Sequence, residues 1–420
     1  MTKAAREFRE SLRLLGTRRF GTFWLATLLS NIGTWTQQVA EPWLLITLGA
    51  SPFLVGLDSF AMNAPVWLLT LAGGVLADRA DRRRVITLFQ SIQMLCPTLI
   101  AALLVYGSIR PFMIIALSLV VGVTDSLSMP SFQSIVPSIV RRDQIGRGLA
   151  LNSTQFNLSR ILGPAIAGVL MASIGAVACF ALSAASYIPF IGVALWILPP
   201  RPTRPRSGDA FDRMGLLSGL REIARAPHLR GALLTVFATS VLCGPLITFT
   251  PVLVSAAFHG TAGDFSAAVG AFGAGGLLGA TGLLAVPAEQ DRRRWSSRFA
   301  LFYGVMVASV ALVPWFWAVP ALMALAGAAM TVSNTSANSL LQATASPRLL
   351  GRTVSLFMLA TRGGIPLGAL LTGLSTEMFG VRHALLANGA LAVIAHLVIG
   401  RAWIRSPLPK PVAVAGNTAA

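Results

Sequence analysis

Gly73-Gly74-Val75-Leu76-Ala77-Asp78-Arg79-Ala80-Asp81-Arg82-Arg83-Arg84 stands between two long apolar stretches, near 53–77 and 85–106. Within these residues the chain passes from glycine and aliphatic side chains to two acids and four arginines. Such a switch reads as a short polar turn joining two segments that avoid water. Its end returns as Asp291-Arg292-Arg293-Arg294, an offset of 210, directly after another apolar stretch near 264–287.

Working outward, runs of about 20 mostly apolar residues, the length that crosses a bilayer as a helix, occur twelve times. They lie near 20–47, 53–77, 85–106, 111–136, 149–171, 176–198, 231–258, 264–287, 298–317, 320–342, 351–376 and 381–403. The composition agrees: 55% of residues are hydrophobic, 11% are charged, and the mean hydropathy is +0.71. Soluble domains carry about 25% charged residues, so this chain has too few to cover several water-soluble cores. Disorder needs low hydrophobicity and is excluded. The 39 glycines and 24 prolines show no collagen period. An all-α membrane protein with 12 transmembrane helices in two six-helix bundles is expected. Its parts are an N-terminal tail (1–19), a first bundle (20–198), a linker rich in Pro and Arg (199–230), a second bundle (231–403) and a C-terminal tail (404–420).

The net charge of +18 could suggest nucleic acid, but the positions of the basic residues indicate sidedness. If the N-terminus is cytoplasmic, 29 of the 33 basic residues fall in cytoplasmic segments and only Arg110 and Arg382 fall outside. Cytoplasmic loops are enriched in this way, so both termini are expected inside, in a multi-pass protein of the cell (inner) membrane. Contact with anionic lipid is a secondary consequence. No nucleic-acid partner is expected. Cys96, Cys179 and Cys243 are scattered through apolar runs and have neither metal nor disulfide spacing.

The halves echo each other beyond the arginine corner. Asp125 and Gln133 match Asn334 and Gln342, Gly146-Arg147 matches Gly351-Arg352, and Arg160-x-x-x-Pro164 matches Arg362-x-x-x-Pro366, at offsets of 202 to 209. Two parallel-related halves of six helices are a transporter plan, with substrate held near the midplane.

The opening stretch resembles the loop between helices 2 and 3 of the major facilitator superfamily, G-x-x-x-D-R/K-x-G-R-R/K. The match falls on Gly74, Asp78, Arg79, Arg82 and Arg83, and Asp81 stands where the family has glycine. Leu151-Asn152-Ser153 through Arg160-Ile161-Leu162-Gly163-Pro164 is similar to the siderophore (enterobactin) and macrolide exporter branch. The resemblance implies that Asp78 faces the N-terminus of the eleventh helix while the cytoplasmic side is closed, where a negative charge is favourable. Gly74 would let helix backbones approach closely. The plainer alternative is a basic loop that only fixes topology.

Polar side chains within the hydrocarbon mark a pathway or bond to one another. Asn31, Thr34, Gln38 and Glu41 fall at steps of 3, 4 and 3, on one face of the first run. Asn334, Asn338 and Gln342 form a second stripe in the tenth, and Asp125, Ser128 and Gln133 lie in the fourth. The resemblance implies that helices 1, 4, 7 and 10 line the substrate cavity, though the seventh offers mainly Thr235, Thr239 and Ser240. Arg160 and Arg362 each stand about 16 Å into their spans. As a pair they could bind an anion bidentately; alternatively Arg160 neutralises Asp125, and Arg362 meets Glu377 or a backbone carbonyl. Proton coupling needs a buried carboxylate, with Asp125 preferred over Glu41. In the eighth run Gly270, Gly273, Gly275, Gly276, Gly279 and Gly282 thin the helix for close packing.

A P-loop ATPase is excluded because the only lysines, Lys3 and Lys410, are in no glycine loop. His228, His259, His383 and His396 are scattered and no hydrolase or zinc motif occurs, so no enzyme, metal or cofactor is expected. What remains is a monomeric secondary carrier for a small organic molecule. Proton-coupled export is the preferred form, and uptake or exchange of an organic anion through Arg160 and Arg362 is the alternative.

Overall fold

Proline opens many of the helices, because at the first helical position its missing N–H costs nothing. The computed structural model describes residues 13–141, 144–198, 226–286, 290–344 and 350–405. The described chain is almost entirely helical. The first half holds α1 (Arg18–Thr47), α2 (Pro52–Asn63), α3 (Pro65–Arg79), α4 (Arg82–Val105), α5 (Pro111–Gln133), α6 (Ile135–Ile139), α7 (Ile145–Ser173) and α8 (Ala176–Ile197). The second holds α9 (Pro227–Ala238), a π-helical turn (Thr239–Cys243), α10 (Pro245–Phe258) and α11 (Ala262–Leu284). It continues with α12 (Arg292–Leu312), α13 (Val319–Thr344), α14 (Leu350–Phe379) and α15 (Val381–Arg405). Most of the expected linker, and both chain ends, are outside the described residues; its last four positions begin α9.

Eleven helical stretches are long and apolar enough to cross a membrane. α1 is not among them, although its 30 residues rise about 45 Å. Its polar side chains lower its hydropathy, so the twelve-helix plan is consistent with the structure. The second predicted run is broken at Ala64, because Pro65 cannot donate the helical bond and starts α3 anew. Gly107 (φ +65°) ends α4 in a left-handed conformation that its lack of Cβ permits.

The described residues sort into two compact units. The first contains α1 to α8 together with Thr250–Gly270. In it α1 packs on α7 and α8, α4 packs on α8, and α5 packs on α2 and α3. Phe20, Phe23, Ile86, Ile135, Phe190 and Ile197 form its buried apolar end. In the second unit α12 packs on α13 and α15, and Leu229, Val236, Leu341, Leu356 and Trp403 close one end. The pairing of the third and sixth spans (α4 with α8) thus repeats as that of the ninth and twelfth (α12 with α15). Large apolar side chains such as Leu68, Val169, Leu278 and Val398 remain exposed. That is the surface a lipid-embedded bundle presents.

Candidate functional site

Close approach of α7 to α1 builds the first polar face. A side chain at Gly163 would collide with Trp35 Cβ and press on Ile32 O (3.1 Å) and Thr36 N (3.2 Å). Thr36 Oγ1 donates to Gly163 O at 3.1 Å across the same contact. Because the helices touch here, the Arg160 guanidinium, one turn earlier, sits over the Trp35 ring at 5.3 Å. Phe156 meets that ring edge-on at 6.0 Å. Farther along the face, Asn31 Nδ2 donates to Gln155 Oε1 at 3.1 Å, and Thr34 lies 3.5 Å from the Tyr187 hydroxyl. Asn31, Thr34, Gln38 and Arg160 are all half-buried.

Glu41 does not share that environment. At about 100° per residue it lies roughly 80° around the helix from Asn31, and it is only 3% exposed. Its partner on α1 is Gln37, whose Nε2 donates to Glu41 Oε2 at 3.3 Å. Gln37 Oε1 accepts from Ser183 of α8 at 2.8 Å, which fixes the amide orientation. Ser118 of α5 donates to Glu41 Oε1, and Asp58 on α2 is an electrostatic neighbour of Glu41. Asp58 is 6% exposed, and its Oδ1 is buried without a hydrogen-bond partner among the described residues. Glu41 thus differs from the rest of its stripe in depth: it is buried beside Ser118, whereas Asn31, Thr34 and Gln38 are half-buried. Asp58, Gln37, Ser118 and Ser183 were missed. An acid inside the second apolar run was the available signal. Asp125 is half-buried and is an electrostatic neighbour of Tyr187.

In the second unit Asn334 and Asn338 lie half-buried on α13. The Oδ1 of Asn334 is buried without a partner among the described residues. Gln342 continues the helix, but its side chain is outside the described residues. Arg362 is half-buried on α14. On the same helix Gly364 and Gly368 lie against Ser240 and the Val241 backbone of the π-helical turn. There Gly244 N donates to Thr239 O at 3.0 Å, five residues back, and Tyr303 donates to Cys243 O at 3.1 Å. Such a bulge in a helix often marks a functional position, and the sequence pattern had not signalled it. Thr235, Thr239 and Ser240 are buried within this unit, with Thr239 3.2 Å from His396 Nε2. They pack the bundle instead of forming an open face.

The arginine corners can be compared atom by atom. Asp81 accepts from the backbone N–H of Arg83 at 2.9 Å and caps α4, which is what the departure from family glycine does. Asp291 caps α12 identically at 3.0 Å. Burial alone would raise the Asp291 carboxyl, but hydrogen bonds from the Arg293 side chain and backbone, with the charges of Arg293 and Arg294, hold it below the ordinary carboxylate value. Arg82 reaches Ser134 O at 3.4 Å. Among the described residues nothing lies within 4 Å of the Cβ position of Gly74. Gly73 instead lies against α5, its Cβ position 2.7 Å from Ser126 O, because the buried side of α3 passes through 73. The side chains of Asp78 and Arg79 are outside the described residues.

Comparisons with known proteins come from three sides. Residues 11–415 match the family model described as transmembrane secretion effector. The staphyloferrin A transporter of Staphylococcus aureus (strain NCTC 8325 / PS 47) is 24% identical, with 86% of this chain and 90% of that protein covered. Macrolide efflux protein A of Streptococcus pyogenes is 22% identical, over 90% and 95%. Among solved structures, a bacterial homologue of the human lysosomal transporter Spinster superposes with a TM-score of 0.66 at 16% identity, over 93% and 98%, which speaks for the fold. The family match and these likenesses each extend over nearly the whole chain. It belongs to the major facilitator superfamily, in its transmembrane secretion effector family, and is a multi-pass membrane transporter of small molecules and not an enzyme.

Proposed function

We propose that this carrier exports a small organic molecule, a drug or siderophore, from the cytoplasm across the inner membrane in exchange for protons. It acts as a monomer by alternating access, with both termini cytoplasmic, the sidedness that the distribution of basic residues supports. The observation that carries the reading is the pairing within one bundle of a half-buried polar face and, behind it, an acid removed from solvent. Asn31, Thr34, Gln38 and Arg160 supply hydrogen-bonding and cationic groups for substrate. Glu41 supplies a carboxylate whose charge can be cancelled only by a proton or a close cation. Asn334, Asn338, Gln342 and Arg362 are proposed as substrate contacts from the second bundle. Asp125 is kept as a proton carrier beside Glu41. Gly74, Asp78, Arg79, Arg82 and Arg83 form the loop motif proposed to hold the cytoplasmic side shut in one half of the cycle.

The export direction is supported by the similarity to macrolide efflux protein A. Proteoliposomes with an imposed pH gradient, screened against siderophores, macrolides and organic anions, test the proposal. Substrate movement against the proton flux supports it, and accumulation along an inward proton flux overturns it. If Asp125→Asn leaves gradient-driven transport intact, Asp125 is not the coupling acid.

A second reading, uptake or exchange of an organic anion, is favoured by the seating of Arg160 over Trp35, which holds a guanidinium in place for bidentate recognition. Arg160→Lys and Arg362→Lys keep the charge but lose that geometry, so unchanged substrate affinity in both removes this alternative.

A further inference from the structure

We propose that Glu41 and Asp58 form one proton-holding site, in which a single proton passes between the two carboxyls through the hydroxyl of Ser118. This rests on the proton-coupled reading and specifies where the proton resides. The geometry begins at Gly122 of α5, whose missing Cβ lets the backbone of Met62 on α2 come against it. One turn earlier on each helix stand Ser118 and Asp58, so that contact sets the hydroxyl beside the second acid. On its other side Ser118 donates to Glu41 Oε1.

A hydroxyl has one proton to give. While Ser118 donates it to Glu41, it has only acceptor capacity left, so a bond between Ser118 and Asp58 needs a proton on Asp58. The two acids are not equivalent. Glu41 receives two donors, Ser118 and the Gln37 amide that Ser183 orients, which is the solvation an ionised carboxylate needs. Asp58 has an oxygen buried without a partner, tolerable for the carbonyl of a neutral acid and costly for a carboxylate. Asp58 is thus the protonated member of the pair.

Transfer is balanced within the cluster. The O–H bond of Asp58 breaks as its proton joins Ser118, and the original Ser118 proton forms a new O–H bond on Glu41. The hydroxyl is regenerated with its donor direction reversed, and the charge moves from Glu41 to Asp58.

Among the described residues no cation is paired with either acid. The titratable groups facing Glu41 from the helices packed around it are the Cys96 thiol of α4 and the Tyr187 hydroxyl of α8, with Asp125 of α5 acting on Tyr187. On α7, Arg160 sits over Trp35, six residues and about 9 Å of helix rise before Glu41. Neither acid has an ion pair among the described residues. Two carboxylates around one hydroxyl, without a cation, share a proton because both cannot stay ionised out of water.

The test uses the full-length protein in proteoliposomes and infrared difference spectroscopy of the carboxylic C=O stretch. Wild type should show a buried protonated carboxyl band that Asp58→Asn removes and Ser118→Ala shifts. Asp58→Asn and Glu41→Gln should each lose pH-gradient-driven transport, and Ser118→Ala should slow it. Substrate counterflow and an intact thermal transition in the same preparations show that the variants are folded. An unchanged band in Asp58→Asn, or undiminished gradient-driven transport in both acid variants, overturns the proposal. So does transport driven by a sodium gradient and lost with either acid, since the pair would then hold a metal cation. A wild-type carrier indifferent to pH gradients would defeat the proton-export reading. The infrared band would still report whether the pair holds a proton.

Discussion

At Asp81 and at Asp291 the aspartate accepts from the backbone N–H two residues on, at 2.9 and 3.0 Å, and each begins a helix that continues with three arginines. Beyond the cap the two corners diverge. Arg83 is half-buried. Arg293 is 3% exposed, makes two side-chain hydrogen bonds to Asp291 at 3.0 Å each, and reaches Trp403 O at 3.4 Å. The same tetrapeptide is thus a capped turn in one half and an interior fastener between α12 and α15 in the other. The interiors differ in the same sense. Among the described residues the fully buried acids, Glu41 and Asp58, are in the first unit, while the second buries Arg293 and His396. A repeat conserves what the backbone needs locally, and each bundle adapts the side chains to its own neighbours.

The largest expected difference lies in the second arginine. Arg293→Ala should cost about 2–3 kcal/mol, because it removes charge-assisted bonds from a buried position, whereas Arg83→Ala should stay within about 0.5 kcal/mol. Thermal unfolding in detergent measures both, and equal shifts would break the comparison. Next come the glycines. Gly73→Ala must push against the α5 backbone, and Gly275→Ala against Ala324 of α13, so each should lose about 1–2 kcal/mol. Gly74→Ala and Gly282→Ala meet open space and should be neutral or gain up to about 1 kcal/mol from helix propensity. If the Gly74 variant unfolded earlier than the Gly73 variant, the assignment of the packing glycine would be wrong.

The caps follow. Asp81→Ala should lose about 1 kcal/mol, and Asp291→Ala somewhat more because its Arg293 bonds go too. The smallest effect is in pH. Since the folded-state carboxyl of Asp291 titrates below its ordinary value, its contribution is complete above about pH 4. It fades as pH falls through the lowered value. The stability gap between wild type and Asp291→Asn should therefore narrow on acidification below that pH, and a gap independent of pH would show that the pairing contributes nothing.

Much of the architecture was legible because hydrophobic length and arginine position are chain-local properties. The apolar runs appear as helices within a few residues, and the repeat offset of 210 reappears as matched caps. The site was legible by residue type and less so by grouping. Asn31 and Arg160 find partners where α1 and α7 touch, while Thr34 approaches Tyr187 of α8. Glu41 lies within about 20° of Thr34 on the helix wheel but two turns further along, where Gln37 of the same helix and Ser118 of α5 close over it. In α11, Gly275 and Gly279 press on Ala324 and Ala328 and Gly276 meets Thr331 Oγ1 at 3.0 Å, whereas Gly270 and Gly282 meet nothing within 4 Å among the described residues.

The sequence by itself determined the membrane setting, the two-bundle plan and the superfamily, because length, apolar content and loop charge act without reference to distant residues. Which glycine packs, which arginine is buried, and that Glu41 accepts from Ser118 of α5 were decided only in the tertiary structure. Those facts depend on where one helix touches another, and residues 77 positions apart, such as Glu41 and Ser118, become neighbours only when the helices that carry them pack together.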